Sequence, residues 1–156
     1  MREWQFKKNL YVEVKKLGRI KLAPLEKYRF SHEQKIYFSN INQAMHVGAS
    51  QMADIIHDGR YQMLKSLGAN ELNLGDGKTG AVLGDLVINF KAEIFLDEIV
   101  TVETDIGEFE EKGFRIFYRI SKNGKTAALA ETGHVCFNYL TKSICEVPEV
   151  LIEKLA

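Results

Sequence analysis

Asn40, Asn42 and His46 fall within one polar stretch, Ser39-Asn40-Ile41-Asn42-Gln43-Ala44-Met45-His46-Val47-Gly48, where the chain gathers groups able to move protons and hold polar substrates. A histidine titrates near neutral pH, so His46 can accept or donate a proton during a reaction. Asn42 carries both a donor and an acceptor and can orient a water or a carbonyl. With a helix beginning just after Gly48, the backbone N–H groups of Val47, Gly48 and Ala49 lack partners inside it and can hold a developing oxyanion. Gly48, without a side chain, lets a substrate approach the backbone. The same residues also have a purely structural use: Asn40 and Asn42 to turn and cap, His46 to satisfy a buried carbonyl. Residue types and spacing leave both uses open.

The elements that must position this stretch follow from periodicity. Before it, Tyr28 to Phe38 alternates aromatic and polar residues as a strand does and stops at Ser39-Asn40. After it the period changes. From Ala49 to Leu67, Met52, Ile56, Met63 and Leu67 recur at helical spacing, with Ile55 and Leu64 widening the stripe. Gly68 is placed to stop this helix and Lys65 suits its negative end. Gly59 within it costs about 1 kcal/mol against Ala, which a close approach of another element would explain. Four strand-like runs come next, Ala81 to Phe90, Ile99 to Glu108, Gly113 to Ser121 and Thr126 to Tyr139, with Asn123-Gly124 as a tight hairpin turn. Connections this short predict a mostly antiparallel sheet of about five strands. Pro148 to Ala156 reads as a short terminal helix; within the extra N-terminal residues 1–27, Leu10 to Leu22 reads as a hairpin turning at Gly18 or, on the helical spacing of Leu10, Val14 and Leu17, as a short helix.

Composition narrows the classes. The 156 residues, 46% hydrophobic with 2 Pro and 2 Cys, predict one domain able to bury a core without disulfides. The balance of 21 basic against 21 acidic residues argues against a nucleic-acid or anionic-membrane partner. Cys136 and Cys145 have neither C-x-x-C nor zinc-finger spacing, so both are expected reduced. The N-terminus lacks a signal-peptide core and no apolar run approaches ~18 residues, which places the chain in the cytoplasm as an expectation. One helix cannot cover both faces of such a sheet, so a homodimer at least is expected.

The segment Asn40 to Gly48, followed by His57-Asp58-Gly59-Arg60-Tyr61-Gln62-Met63-Leu64, resembles the hotdog-fold thioesterases of the 4-hydroxybenzoyl-CoA and acyl-ACP type. His46 and Val47 match that family's motif, Asn42 matches the members with Asn there, and Asp58-Gly59-Arg60 stands at its Glu-x-Arg. Phe90 to Val102, Asn123 to Ala130 and Val147-Pro148-Glu149 resemble its later strands, its late hairpin and its ending, so that the resemblance runs from about residue 28 to 150. It implies an α+β fold with a long central helix wrapped by a curled antiparallel sheet, in homodimers or homotetramers with sites at the subunit interface. It further implies hydrolysis of an acyl-CoA or acyl-ACP thioester to free acid and thiol, without metal or cofactor.

Many members place Asp at both positions that Asn40 and Asn42 occupy here, and an amide can neither take a proton from water nor form an anhydride. The work then falls to His46 as base, with Asn42 orienting the water, or to a helix carboxylate. Asp54 and Asp58 share one helix face; Asp54 reads as solvated, and Asp58 is kept as a candidate because it stands at the Glu-x-Arg position. The alternative is a non-catalytic module on the same fold that binds acyl thioesters or fatty acids.

Overall fold

The computed structural model describes residues 18–156. In chain order it contains β1 (Phe30–Lys35), a 3-10 turn (Phe38–Asn40), α1 (Ala49–Ser66), β2 (Thr79–Phe90), β3 (Ile99–Glu110), β4 (Gly113–Lys122), β5 (Lys125–Asn138), β6 (Ser143–Ile144) and α2 (Glu149–Glu153). The strands form one antiparallel sheet in the order β1-β3-β4-β5-β2, with β6 beside β5.

Strand alternation sorts the side chains onto two faces. Val100, Val102 and Ile106 of β3, Ile116, Tyr118 and Ile120 of β4, and Ala128 and Ala130 of β5 are buried on the face that meets α1. The opposite face carries cross-strand ion pairs: Arg119 Nη2 donates to Glu103 Oε1 at 2.8 Å, and Arg115 Nη2 to Asp85 Oδ1 at 2.8 Å. Charged pairs hold that face in water while the apolar face drives helix and sheet together.

Helix α1 buries Met52, Ile55, Ile56, Met63 and Leu64 of the expected stripe and, beyond it, Gly59 and Arg60; Leu67 is only partly buried, and the helix ends where Gly68 takes a φ of +65°. The close approach expected at Gly59 is present. A Cβ built there would lie 2.9 Å from Val102 Cγ1 and 3.4 Å from Thr104 Cγ2, so glycine lets the helix sit directly on β3. Asn123 and Gly124 turn β4 into β5 with φ of 49° and 72°, which is why that pair reads as a hairpin. The terminal helix is also found, as α2.

One expectation changes. The sheet has six strands rather than about five, because Ser143–Ile144 adds a two-residue rung to β5, too short to leave a periodic signal. The N-terminal hairpin falls mostly outside the described residues; of it, only residues 18–22 are described, and they form no strand. The Asn89 side chain takes up this segment's polar groups instead, accepting from Leu22 N–H at 2.8 Å and donating to the Ile20 carbonyl at 3.0 Å. Cys136 and Cys145 are both free. Among the described residues no helix is long and apolar enough to cross a membrane.

Candidate active site

The chain enters α1 through a small closed loop. Ile41 pairs with Val47 and His46 with Phe95 as single antiparallel bridges, so the polar stretch is pinned between the 3-10 turn and the segment that follows β2. Asn42 closes the loop from inside. Its N–H donates to the His46 carbonyl and its carbonyl accepts from Met45 N–H, both at 2.9 Å, while Met45 takes the left-handed φ of 65°. Its side-chain Oδ1 accepts from Ala44 N–H at 2.9 Å, which fixes the amide orientation and turns Nδ2 toward Gly48. Asn40 is used in the turn as well, its Oδ1 accepting from Tyr37 N–H at 2.9 Å.

His46 is held by its own backbone neighbourhood. Its Nδ1 lies 3.2 Å from the Val47 carbonyl, which can only accept, so Nδ1 carries the proton and Nε2 keeps its lone pair in the neutral ring. Nε2 faces the carboxylate of Glu93, with Oε1 at 3.9 Å.

The helix start lies alongside. Gly48 accepts Met52 N–H at 2.9 Å as the cap residue, and no side chain caps the N-terminus. The N–H groups of Gly48 and Ala49 find no acceptor among the described residues, and no acidic residue stands in the first turn to offset the positive helix end. Val47 departs from expectation. Its N–H donates to the Ile94 carbonyl at 2.9 Å, because Val47 belongs to the bridged loop rather than to the helix, and it is not free to receive an oxyanion.

Asn42, His46, Val47, Gly48 and Ala49 form one wall of a cleft of about 410 Å³, and Phe90, Lys91, Ala92 and Glu93 form the other. Five of the six residues proposed from the sequence therefore come together. Asp58 does not. It is exposed on α1 nine residues beyond Ala49, roughly 13 Å along the axis and half a turn round, so within one chain it cannot reach His46. The second wall was missed altogether. Its only trace in the sequence is the switch from apolar strand to polar residues at Phe90-Lys91-Ala92-Glu93, and nothing local reveals that the end of β2 returns to the start of α1.

Arg60, the other half of the Asp-Gly-Arg motif, is buried and faces inward. Its Nε donates to Glu71, and it lies beside the Tyr118 hydroxyl. Tyr118 Oη and His134 Nε2 both meet Thr132 Oγ1 at 2.9 Å, leaving His134 Nδ1 buried without a partner. Burial, reinforced by the Arg60 charge, lowers the His134 imidazole to about 4, so this ring is neutral and belongs to the core. Among the described residues no three His, Cys, Asp or Glu side chains gather to hold a metal ion.

One long helix packed on one face of an antiparallel sheet, with a polar cleft at its N-terminus, is the arrangement of the hotdog fold. The thioesterase-like superfamily model matches residues 36–155, and the chain belongs to that family. Over 125 residues it is 25% identical to the 1,4-dihydroxy-2-naphthoyl-CoA hydrolase of Synechococcus elongatus, covering 78% of this chain and 91% of that one. Among solved structures it is similar to Slr0204, a 1,4-dihydroxy-2-naphthoyl-CoA thioesterase from Synechocystis (TM-score 0.72, 22% identity, 81% of this chain and 94% of that one). It is also similar to the gentisyl-coenzyme A thioesterase BH1999 (TM-score 0.71, 21% identity, 81% and 100%).

Proposed function

We propose that this protein hydrolyses an acyl-CoA thioester to the free acid and the thiol. The observation that carries the reading is the meeting, in one cleft, of an imidazole whose Nε2 is free to accept a proton and two helix-start N–H groups without acceptors. His46 takes a proton from water as the water attacks the thioester carbonyl, and the N–H groups of Gly48 and Ala49 receive the oxyanion. Asn42 contributes Nδ2 as a donor toward the same space. Its Oδ1 is engaged by Ala44, so it steers rather than activates the water.

An aromatic acyl group fits best with the relatives, whose names specify naphthoyl and gentisyl thioesters of CoA. The cleft volume is in the range that holds such a group. A homodimer is part of this reading. Among the described residues strand β2 has one strand neighbour, β5, and exposes Val82, Leu83, Leu86 and Phe90, where a second copy would cover them. Any role of Asp58 in the reaction requires that second copy to bring it to the cleft.

The second reading, an acyl-thioester binding module, draws support from Asn40 and Asn42: neither is an acid, and both side-chain oxygens are engaged in turns. Free-thiol release from a panel of aryl- and alkyl-CoAs separates the two. We expect release by the wild type and a loss of about 10²-fold or more in kcat for His46→Ala. Binding of acyl-CoA without release would establish the module instead, and release undiminished in His46→Ala would remove His46 from the reaction.

A further inference from the structure

We infer that Glu93 is the acidic member of this site, a positioning residue that holds His46 in its charged form during turnover. The inference rests on the hydrolytic reading above and supplies what residues 40 and 42 lack. Glu93 lies just beyond the end of β2, across the cleft from the helix start, and its carboxylate stands 3.9 Å from His46 Nε2. Among the described residues it pairs with no lysine or arginine, so its one cationic partner is the imidazolium.

The tautomer argues for this role. With Nδ1–H turned to the Val47 carbonyl, Nε2 is both the atom that takes the water proton and the atom that faces Glu93. As the water oxygen bonds to the thioester carbonyl carbon, its proton moves to Nε2 and a positive charge appears opposite the carboxylate. When the tetrahedral intermediate collapses the C–S bond breaks, and the departing sulfur takes that proton from Nε2. Acid and thiol leave with no further reactant. Glu93 stabilises the charged ring across the gap rather than by taking the Nε2 proton, which stays available to the departing sulfur. Lys91 is the other charged side chain on the cleft walls; it opposes the imidazolium, as does the positive helix end at Gly48 and Ala49, so Glu93 is the one group there that favours it.

Glu93→Gln keeps size and removes charge at a side chain that is 66% exposed, where folding is not at stake. A carboxylate about 4 Å away in a solvated cleft predicts a three- to tenfold fall in kcat with KM nearly unchanged. The fall reads on the charge of the ring, because the imidazolium loses its partner while substrate contacts stay as they were. NMR of both proteins without substrate, at one fixed pH, should show the His46 ring resonances displaced by Glu93→Gln, because the carboxylate is the ring's neighbour. Unchanged kcat, or coincident His46 ring resonances, would overturn the inference. Absence of thioester release by the wild type would refute the hydrolytic reading, while the NMR comparison would still decide whether Glu93 and His46 are paired.

Discussion

The buried His134 makes acid stability a direct test of the core packing. Its ring is 4% exposed, donates to or accepts from Thr132 Oγ1 at 2.9 Å, and is lowered by burial, then by Arg60, from the ordinary 6.5 to about 4. Above pH 6.5 the ring is neutral in both folded and unfolded chains. Between 6.5 and 4 the unfolded chain binds a proton that the folded one does not, so unfolding becomes easier as the pH falls. Over pH 7 to 5 that difference amounts to about 2 kcal/mol, in a window that stays above the ordinary carboxylate range. Urea denaturation of the wild type and His134→Gln at both pH values measures it. Gln keeps a neutral polar group facing Thr132 and cannot titrate. The stability gap between the two proteins should shift by about 2 kcal/mol against the wild type on going from pH 7 to 5. A gap constant within about 0.5 kcal/mol would refute the account of His134 as a neutral core group.

Two further outcomes test the packing and the open edge. Gly59→Ala gains about 1 kcal/mol of helix propensity but drives a methyl to 2.9 Å from the fully buried Val102. Overpacking of this kind costs about 1–3 kcal/mol, so the urea midpoint should fall by the equivalent of about 1 kcal/mol; an equal or higher midpoint would place α1 farther from β3 than described. At the β2 edge, Leu86→Lys should convert a dimer to the mass of one chain in sedimentation velocity. A wild type that already sediments as one chain would exclude pairing through this edge.

Much of the fold can be read from local signals because those signals are periodic. Apolar residues at helical spacing fix α1 to within a residue, and alternation with Asn123-Gly124 recovers β4 and β5. Where the period is too short to register, as in the two residues of β6, reading fails. At the start of the described chain, the Asn89 side chain, distant in sequence, satisfies the Ile20 carbonyl and the Leu22 N–H, a contact no local signal records.

The candidate site divides in the same way. The residue types of the polar stretch and its place before a helix mark Asn42, His46, Gly48 and Ala49 without reference to the rest of the chain, since a helix start leaves its N–H groups open wherever it occurs. Tertiary structure decided the remainder. Only the folding of β2 back past α1 puts Glu93 beside His46, and only the hydrogen bond to the Ile94 carbonyl takes Val47 N–H out of play. Periodicity and helix-end chemistry act over a few residues and are therefore written in sequence, whereas the meeting of two cleft walls depends on how sheet and helix pack, which no local spacing records.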